Sequence, residues 1–366
     1  MKPHKIKTIG VLTGGGDCPG LNAVIRAVAK AAQAKYDLAV WGIEDGYLGL
    51  IENHMRQLHP PDVSGILTVG GTILGTSNTS DPFHFAIRKN GSEEYADVSA
   101  LCIENLRKHG IDALICIGGD GTMKTAAKFA KMGMPIMGVP KTIDNDLVGT
   151  DVTFGFDTAV TTATEAIDKL HTTASSHHRI MIVEVMGRYA GWIALYAGMA
   201  GGADVILLPE MPYRLDKIEQ CVRQRAGHGK RFSIICVAEG AREKGGQMVV
   251  GRRIKGSPDP IRLGGIANKL QYDIQKRTDI EARAVILGHT QRGGTPTPYD
   301  RVLATNFGYT AISLLMEHGV KNHLVVFKNN EYSSIPLSQV AGKIKNVPKD
   351  HPLIKAALAI KTSFGV

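Results

Sequence analysis

Residues 114–146, LICIGGDGTMKTAAKFAKMGMPIMGVPKTIDND, restrict the possible folds more than any other stretch of the chain. Leu114 to Gly118 is a short apolar run that stops at Gly118-Gly119, the pattern of a buried parallel strand ending at a turn. Thr122 reads as an N-cap, and the alanines and lysines from Lys124 to Lys131 have high helix propensity, so a helix follows at once. A glycine turn between a strand and a helix start suits phosphate, because glycines let the backbone approach an anion and the unpaired N–H groups point toward it. Asp120 would repel that anion unless a divalent cation lay between them, and magnesium is the natural ion. A second apolar run, Pro135 to Pro140, reads as the next strand, with Lys141, Thr142, Asp144, Asn145 and Asp146 at its carboxyl end. Polar groups at strand ends line the crevice of open α/β sheets. A phosphate cradle with a metal carboxylate, followed by a lysine, a hydroxyl and two more carboxylates, is the equipment of phosphoryl transfer.

The 366 residues are too many for one hydrophobic core, so two domains are expected. With 43% hydrophobic and 21% charged residues the chain reads as soluble and globular. The formal charge of +9 comes without a Lys/Arg block or an aromatic-interleaved basic run, which points to small anionic substrates and away from nucleic acid. Five cysteines without a C-x-x-C pair indicate neither disulfides nor zinc. No apolar stretch at the N-terminus is long enough for a signal peptide, and the window from Trp192 to Leu208 is interrupted by Asp204 and glycines. No membrane association and a cytoplasmic location are therefore expected.

Taken in order, Lys7 to Thr13 is a first strand, Gly14 to Gly20 a second glycine turn, and Leu21 to Gln33 a helix. The turn is neither G-x-G-x-x-G nor a Walker lysine loop, so neither a dinucleotide fold nor a P-loop is supported. Ala39 to Ile43 is a further strand, Glu44 to Leu50 a turn, residues 70–78 a run rich in glycine and hydroxyls, and Ser80 to Ser92 an exposed polar loop. Val98 to His109 is helical and feeds the Leu114 strand. Strands then alternate with helices through Asp157–His171, Arg179–Val185, Trp192–Gly198, Val205–Leu208, Phe232–Ala238 and Arg283–Gly288, the signature of a doubly wound parallel sheet. Arg188, Glu239, His289 and Arg292 all fall where such strands end, and cations converging there favour a polyanion site.

GGDCPGLNAVIR, GGDGT, PKTIDND, EVMGRYAGW and GHTQRGGTPTPYDR, in this order and spacing, resemble the 6-phosphofructokinase family from about Lys7 to Gly308. The resemblance implies two similar doubly wound, mostly parallel α/β domains with the active site in the cleft between them. It implies a phosphoryl-donor domain of residues 1–155 plus about 292–345, and a sugar-phosphate domain of residues 156–291 plus the C-terminal segment. Gly16 and the loop Gly119, Asp120, Gly121 and Thr122 would hold the donor, with Asp120 on magnesium. Thr142, Ile143 and Asp144 would meet fructose 6-phosphate, Asp144 as the base for its 1-hydroxyl. Met186, Gly187 and Arg188 would lie at the sugar phosphate and the reacting phosphoryl group, Arg188 offsetting transition-state charge. Glu239 would bind sugar hydroxyls, and His289 and Arg292 the 6-phosphate. Arg179 and Arg283 would reach that phosphate from a neighbouring subunit, implying a homodimer or homotetramer with shared sites.

The sequence departs from the bacterial ATP enzymes of that family by having Lys141 before Thr142, a feature of the pyrophosphate-using and mixed-substrate branches. It departs from the pyrophosphate enzymes by having Gly121 after Asp120. Aspartate there would repel the α-phosphate of ATP, whereas a lysine can swing aside; ATP is therefore the expected donor, with pyrophosphate the alternative. Arg26 matches an effector-site arginine, but Lys30 and His171 replace others, which argues against regulation by a nucleoside diphosphate. A catalytically silent sugar-phosphate sensor would have lost Asp120 or Asp144, and both are present.

Overall fold

The computed structural model describes residues 6–89, 92–253 and 261–366. The first half winds as β1 (Thr8–Thr13), α1 (Leu21–Tyr36), β2 (Ala39–Ile43), α2 (Tyr47–Glu52), β3 (Met55–Gln57), a hairpin of β4 (Phe85–Lys89) and β5 (Ser92–Ala96), α3 (Ser99–Lys108), β6 (Ala113–Gly118), α4 (Asp120–Lys131) and β7 (Ile136–Pro140). The second half continues with α5 (Phe156–His177), β8 (Ile180–Val185), α6 (Trp192–Ala200), β9 (Val205–Leu207), α7 (Leu215–Gly227), β10 (Ser233–Ala238), β11 (Val250–Arg253), β12 (Ile261–Leu263), α8 (Ile266–Thr278) and β13 (Ala282–Ile286). A long α9 (Pro298–Glu317) then leads back to β14 (His323–Lys328) and β15 (Glu331–Pro336), and α10 (Pro352–Ala359) follows.

Seven strands form one sheet in the order β15-β14-β7-β6-β1-β2-β3, and four form another in the order β13-β8-β10-β9. Every pairing among β2, β1, β6, β7 and β14 is parallel, and the antiparallel strands β3 and β15 sit at the two edges. The second sheet is parallel throughout. All residues of β6, β7, β8 and β10 are buried, as strands covered by helices on both faces must be. The doubly wound, mostly parallel α/β fold expected from the alternating pattern is the fold observed.

The chain returns from the second sheet to the first through α9, which packs along α1. A buried carboxylate ties this return to the start of α5: the Thr158 hydroxyl and backbone N–H donate to Asp300 Oδ2 at 2.6 and 2.8 Å. The residues after Val320 supply β14 beside β7 and also, through Ser363, a bridge to Val205 beside the second sheet.

Two expectations are corrected. Residues 80–92 are not simply an exposed loop, since Phe85 onward pairs with Ser92–Ala96 as a β-hairpin, although residues 90 and 91 lie outside the described residues. The turn at Glu44 ends at Gly46, and Tyr47 onward is helical because Tyr47, Leu50 and Ile51 bury one face against the core. The first five residues also lie outside the described residues. Among the described residues no helix is long and apolar enough to cross a membrane, and all five cysteines are free thiols.

Candidate active site

Four of the parallel strands, β1, β6, β7 and β8, end at the stretches that carry the glycine turns and the clustered polar residues of the sequence. After β1 the chain turns through Gly14, Gly15 and Gly16, with Gly15 at φ 79°. After β6 it turns through Gly118 and Gly119 into α4. Thr122 is not the N-cap of that helix; Gly119 is, and Thr122 lies in the first turn with its side chain wedged between the two glycine turns. A Cβ at Gly14 would come within 2.6 Å of the Thr122 hydroxyl, and one at Gly118 within 2.3 Å. Both must therefore be glycine, and the two turns are held side by side by one threonine. Gly121 faces open space instead, with nothing within 4 Å of the place a Cβ would occupy.

The run of residues 70–78 is the support of the first turn, a function its composition did not disclose. The Thr76 hydroxyl donates to the carbonyls of Thr13 and Gly15 at 3.1 and 2.7 Å, and Gly15 N–H donates to Ser77 O at 3.0 Å. Asn22 on α1 holds the run in place through Val69 O and Ile73 N–H.

Lys141 and Thr142 follow β7 directly. Lys141 is only 3% exposed, and its ammonium donates to Gly16 O under the first glycine turn. Burial lowers its pKa from the usual lysine value, with Arg292 acting in the same direction. The lysine expected to swing aside is thus a packed part of the turn, because its long stem is enclosed between β7 and the Gly14–Gly16 backbone. Arg292, on the one-turn helix Gly288–Arg292, donates from Nη1 to Asp17 O at 2.9 Å, so the same turn is propped from a second direction.

The Asp144 backbone N–H donates to Thr142 Oγ1 at 3.1 Å, and Oδ1 of the Asp144 carboxylate is buried without a hydrogen-bond partner among the described residues. Burial raises its pKa to about 7; Asp146 and Glu239 push the same way, against Arg292 and Lys141. Asp146 is raised by burial too, and Asp120 adds to that. Glu239, whose N–H donates to Val185 O at 2.9 Å, is raised by burial and by Glu184, with Arg188 and Arg292 opposing. These mutual influences place Asp144, Glu239, Arg188 and Arg292 in one cluster at the carboxyl ends of β7, β8 and β10. His289 is exposed on the same short helix as Arg292, and buried Gln291 between them accepts the Met186 N–H at 3.3 Å. Ile143 is fully buried. A cavity of about 360 Å³ beside Arg188 is lined also by Tyr189, Glu210, Arg242, Ile344 and Asn346.

Arg179 and Arg283 are not brought to this cluster. Arg179 precedes β8 and Arg283 stands second in β13; both guanidinium groups meet Glu281 at the amino ends of those strands, Arg179 at 3.3 Å. Six residues of β8 separate Arg179 from Met186, roughly 20 Å of extended chain, and Arg283 pairs with Met181 near the same end.

Asp120 opens α4, where the helix N-terminus favours an acidic group, and its Oδ1 accepts the Gly342 N–H at 2.7 Å. Asp120 is near enough to add to the rise at Asp146, so the site offers one or two carboxylates beside two N–H-lined turns. That set fits magnesium, which is bound by few carboxylates together with phosphate oxygens and water. No cluster of three or more histidine, cysteine or acidic side chains suited to a metal occurs among the described residues. Gly342 carries no motif around it, and its part in the site is visible only in the fold.

The family described as phosphofructokinase matches residues 8–315. The ATP-dependent 6-phosphofructokinase 2 of Clostridium perfringens (strain 13 / Type A) is 53% identical over 366 residues, 100% of this chain and 99% of that protein. The ATP-dependent 6-phosphofructokinase of Spirochaeta thermophila is 49% identical over 365 residues, again 100% of this chain and 99% of the other. Among solved structures, the T-state phosphofructokinase of Pichia pastoris aligns with a TM-score of 0.79 at 32% identity, covering 93% of this chain and 38% of that one. A pyrophosphate-dependent phosphofructokinase from Nitrosospira multiformis has a TM-score of 0.80 at 20% identity over 98% of this chain and 92% of that one, a likeness of fold alone.

Proposed function

The chain belongs to the phosphofructokinase family, and from that membership we propose that it transfers the γ-phosphoryl group of ATP to the 1-hydroxyl of fructose 6-phosphate, releasing ADP and fructose 1,6-bisphosphate. The observation that carries this reading is Asp144. Its buried carboxylate has one oxygen without a hydrogen-bond partner among the described residues and a pKa raised to about 7 by burial, with Asp146, Glu239, Arg292 and Lys141 near enough to act on it. A carboxylate in that state accepts a proton from an alcohol far better than an ordinary one.

In this reading the N–H groups of Gly16, Gly119, Gly121 and Thr122 hold the donor phosphates. Asp120 would hold magnesium, which when bound supplies charge neutralisation across the phosphate oxygens. Thr142 fixes the Asp144 backbone through its hydroxyl, so the carboxylate is aimed by its own loop. Asp144 takes the proton of the 1-hydroxyl as its oxygen attacks the γ-phosphorus. Arg188 stabilises the charge that accumulates on the transferring group. Met186, Gly187, Ile143 and Glu239 shape the sugar pocket, and His289 and Arg292 take the 6-phosphate. Arg179 and Arg283 serve the site of a neighbouring subunit in a homodimer or homotetramer, which accounts for their distance from their own cleft.

The donor is assigned to ATP because Gly121 leaves room where an acidic side chain would crowd the α-phosphate. Lys141 lies beneath the turn and supplies positive charge there without obstructing a nucleotide. The test is the ratio of kcat/KM for ATP and for pyrophosphate on one preparation, with fructose 6-phosphate and magnesium present. ATP is expected to dominate; a clear preference for pyrophosphate overturns the donor assignment, and turnover with neither overturns the enzyme reading. Gly121→Asp should fold normally, since its side chain enters open space, yet lose ATP use.

A further inference from the structure

Lys345 lies on residues 341–347, a segment after β15 without a sequence motif. Its backbone is fixed on both sides: its N–H donates to Asp146 O at 2.7 Å, and its carbonyl accepts from Trp192 Nε1 at 2.8 Å. The preceding Ile344 bridges antiparallel to Leu147, Gly342 N–H reaches Asp120, and Val347 N–H donates to Glu210 Oε1 at 2.8 Å. The segment is thus laid along the strand end that bears Asp144 and Asp146, and the direction of the Lys345 side chain is settled by bonds on either side of it.

The Lys345 ammonium donates to Asn145 Oδ1 at 3.0 Å, to Thr150 O at 2.9 Å and to Asp151 O at 3.0 Å. An ammonium has three N–H donors, so these three bonds use its full capacity. All three acceptors are neutral oxygens of one loop, residues 145–151, which begins immediately after Asp144. A cation drawn even partly out of water is unfavourable unless it is well hydrogen-bonded, and partial burial of Lys345 lowers its pKa to about 8 against the pull of Asp146 and Asp151.

Asn145 explains why this matters. It stands between the two carboxylates in the left-handed region at φ 50°, which asparagine adopts more readily than most residues and which its hydrogen bonds fix here. Its side-chain carbonyl accepts from Thr153 N–H at 3.1 Å as well as from Lys345. Relaxation of Asn145 to ordinary backbone angles would redirect both Asp144 and Asp146. Lys345 grips Asn145 and the far end of the loop at the same time.

We propose that Lys345 is a positioning residue for the phosphoryl transfer: it touches no reactant, but its three hydrogen bonds to residues 145–151 hold the Asp144 carboxylate in its productive direction. This rests on the reading of Asp144 as the base. A lysine that only stabilised the fold would lower the amount of active enzyme without altering the catalytic constant of what remains folded.

The experiment is steady-state kinetics on folded, active-site-titrated Lys345→Met, Asp144→Asn and the double variant. Methionine keeps most of the apolar stem and removes the ammonium, together with its place 5.4 Å from the centre of the Trp192 ring. Lys345→Met is expected to lower kcat by about 10- to 100-fold, the effect of a small misalignment, with both KM values little changed. The double variant should be no slower than Asp144→Asn alone, because a positioning residue has nothing left to position. If Lys345→Met does not fold, Lys345→Ala assayed with a small alkylamine is the second measurement, and saturable recovery of kcat is expected. An unchanged kcat, a loss confined to KM, full multiplication of the two losses in the double variant, or no amine rescue overturns the proposal. Near wild-type kcat in Asp144→Asn would instead overturn the base assignment, and is read separately from the Lys345 result.

Discussion

Burial and the charge of Asp146 raise the Asp144 carboxyl to about 7, and this single value has consequences for rate and for stability. As a base the residue must be ionised, so kcat/KM for fructose 6-phosphate should fall about tenfold per pH unit below about pH 7. A flat profile from pH 5 to 8 would remove the role. For stability the sign is the reverse. The folded state binds the Asp144 proton more tightly than the unfolded chain does, so the contribution is fully present below about pH 4 and is lost as pH rises through about 7. Asp144→Asn should therefore melt at a higher temperature than wild type at pH 8, an advantage that disappears toward pH 4. Thermal unfolding of the two proteins across that range decides it. Type of residue was enough to single out Asp144; its altered titration was not legible, because it arises first from burial and then from Asp146 and Glu239, against Arg292, and Glu239 and Arg292 are far away in sequence.

At the scale of elements, two strand-to-helix turns share one threonine. Gly118 and Gly121 lie three residues apart in the same glycine-rich run, yet the fold treats them oppositely. A methyl group on Gly118 meets Thr122 at 2.3 Å, whereas one on Gly121 meets nothing. Gly118→Ala should destabilise by about 1–3 kcal/mol through overpacking and raise the KM for the donor. Gly121→Ala, inside α4, should leave stability equal or raise it by up to about 1 kcal/mol through helix propensity. Denaturant unfolding of both variants checks the contrast, and equal losses would contradict the wedge formed by Thr122. Apolar periodicity and glycine spacing located both turns. The clash at Gly118 is internal to the β6–α4 turn, whereas the matching one at Gly14 depends on the pairing of β1 with β6, which no local pattern encodes.

At the scale of the whole molecule, Arg179 and Arg283 lie at the amino ends of β8 and β13, and β13 is an edge of its sheet. The proposed sharing of sites between subunits predicts complementation. Asp144→Asn and Arg283→Ala homo-oligomers should each be nearly inactive, while an oligomer reassembled from a mixture of the two holds some sites with neither defect and regains part of the activity. Activity of reassembled mixtures, compared with unmixed controls carried through the same treatment, reads this out. No recovery in verified hetero-oligomers would place Arg283 outside the neighbour's site.

By itself the sequence determined the alternation of strands and helices through most of the first three hundred residues, the glycine turns and the carboxylates and cations at strand ends, because each is written in a local pattern: apolar runs, breakers and helix formers within a dozen residues. Those patterns also singled out Asp120, Asp144, Arg188 and Arg292 as candidates. Only the tertiary structure decided what surrounds them. Lys141 is packed beneath the first turn, Thr122 is a wedge and not a cap, residues 70–78 prop the glycine backbone, and the segment from Gly342 to Val347 reaches back to Asp120 and Asp146 across some two hundred residues of sequence. The physical reason is that burial and hydrogen bonding act through space: a lysine among seven unremarkable residues acquires its part only when β14 pairs with β7 and returns the C-terminal chain to the strand ends.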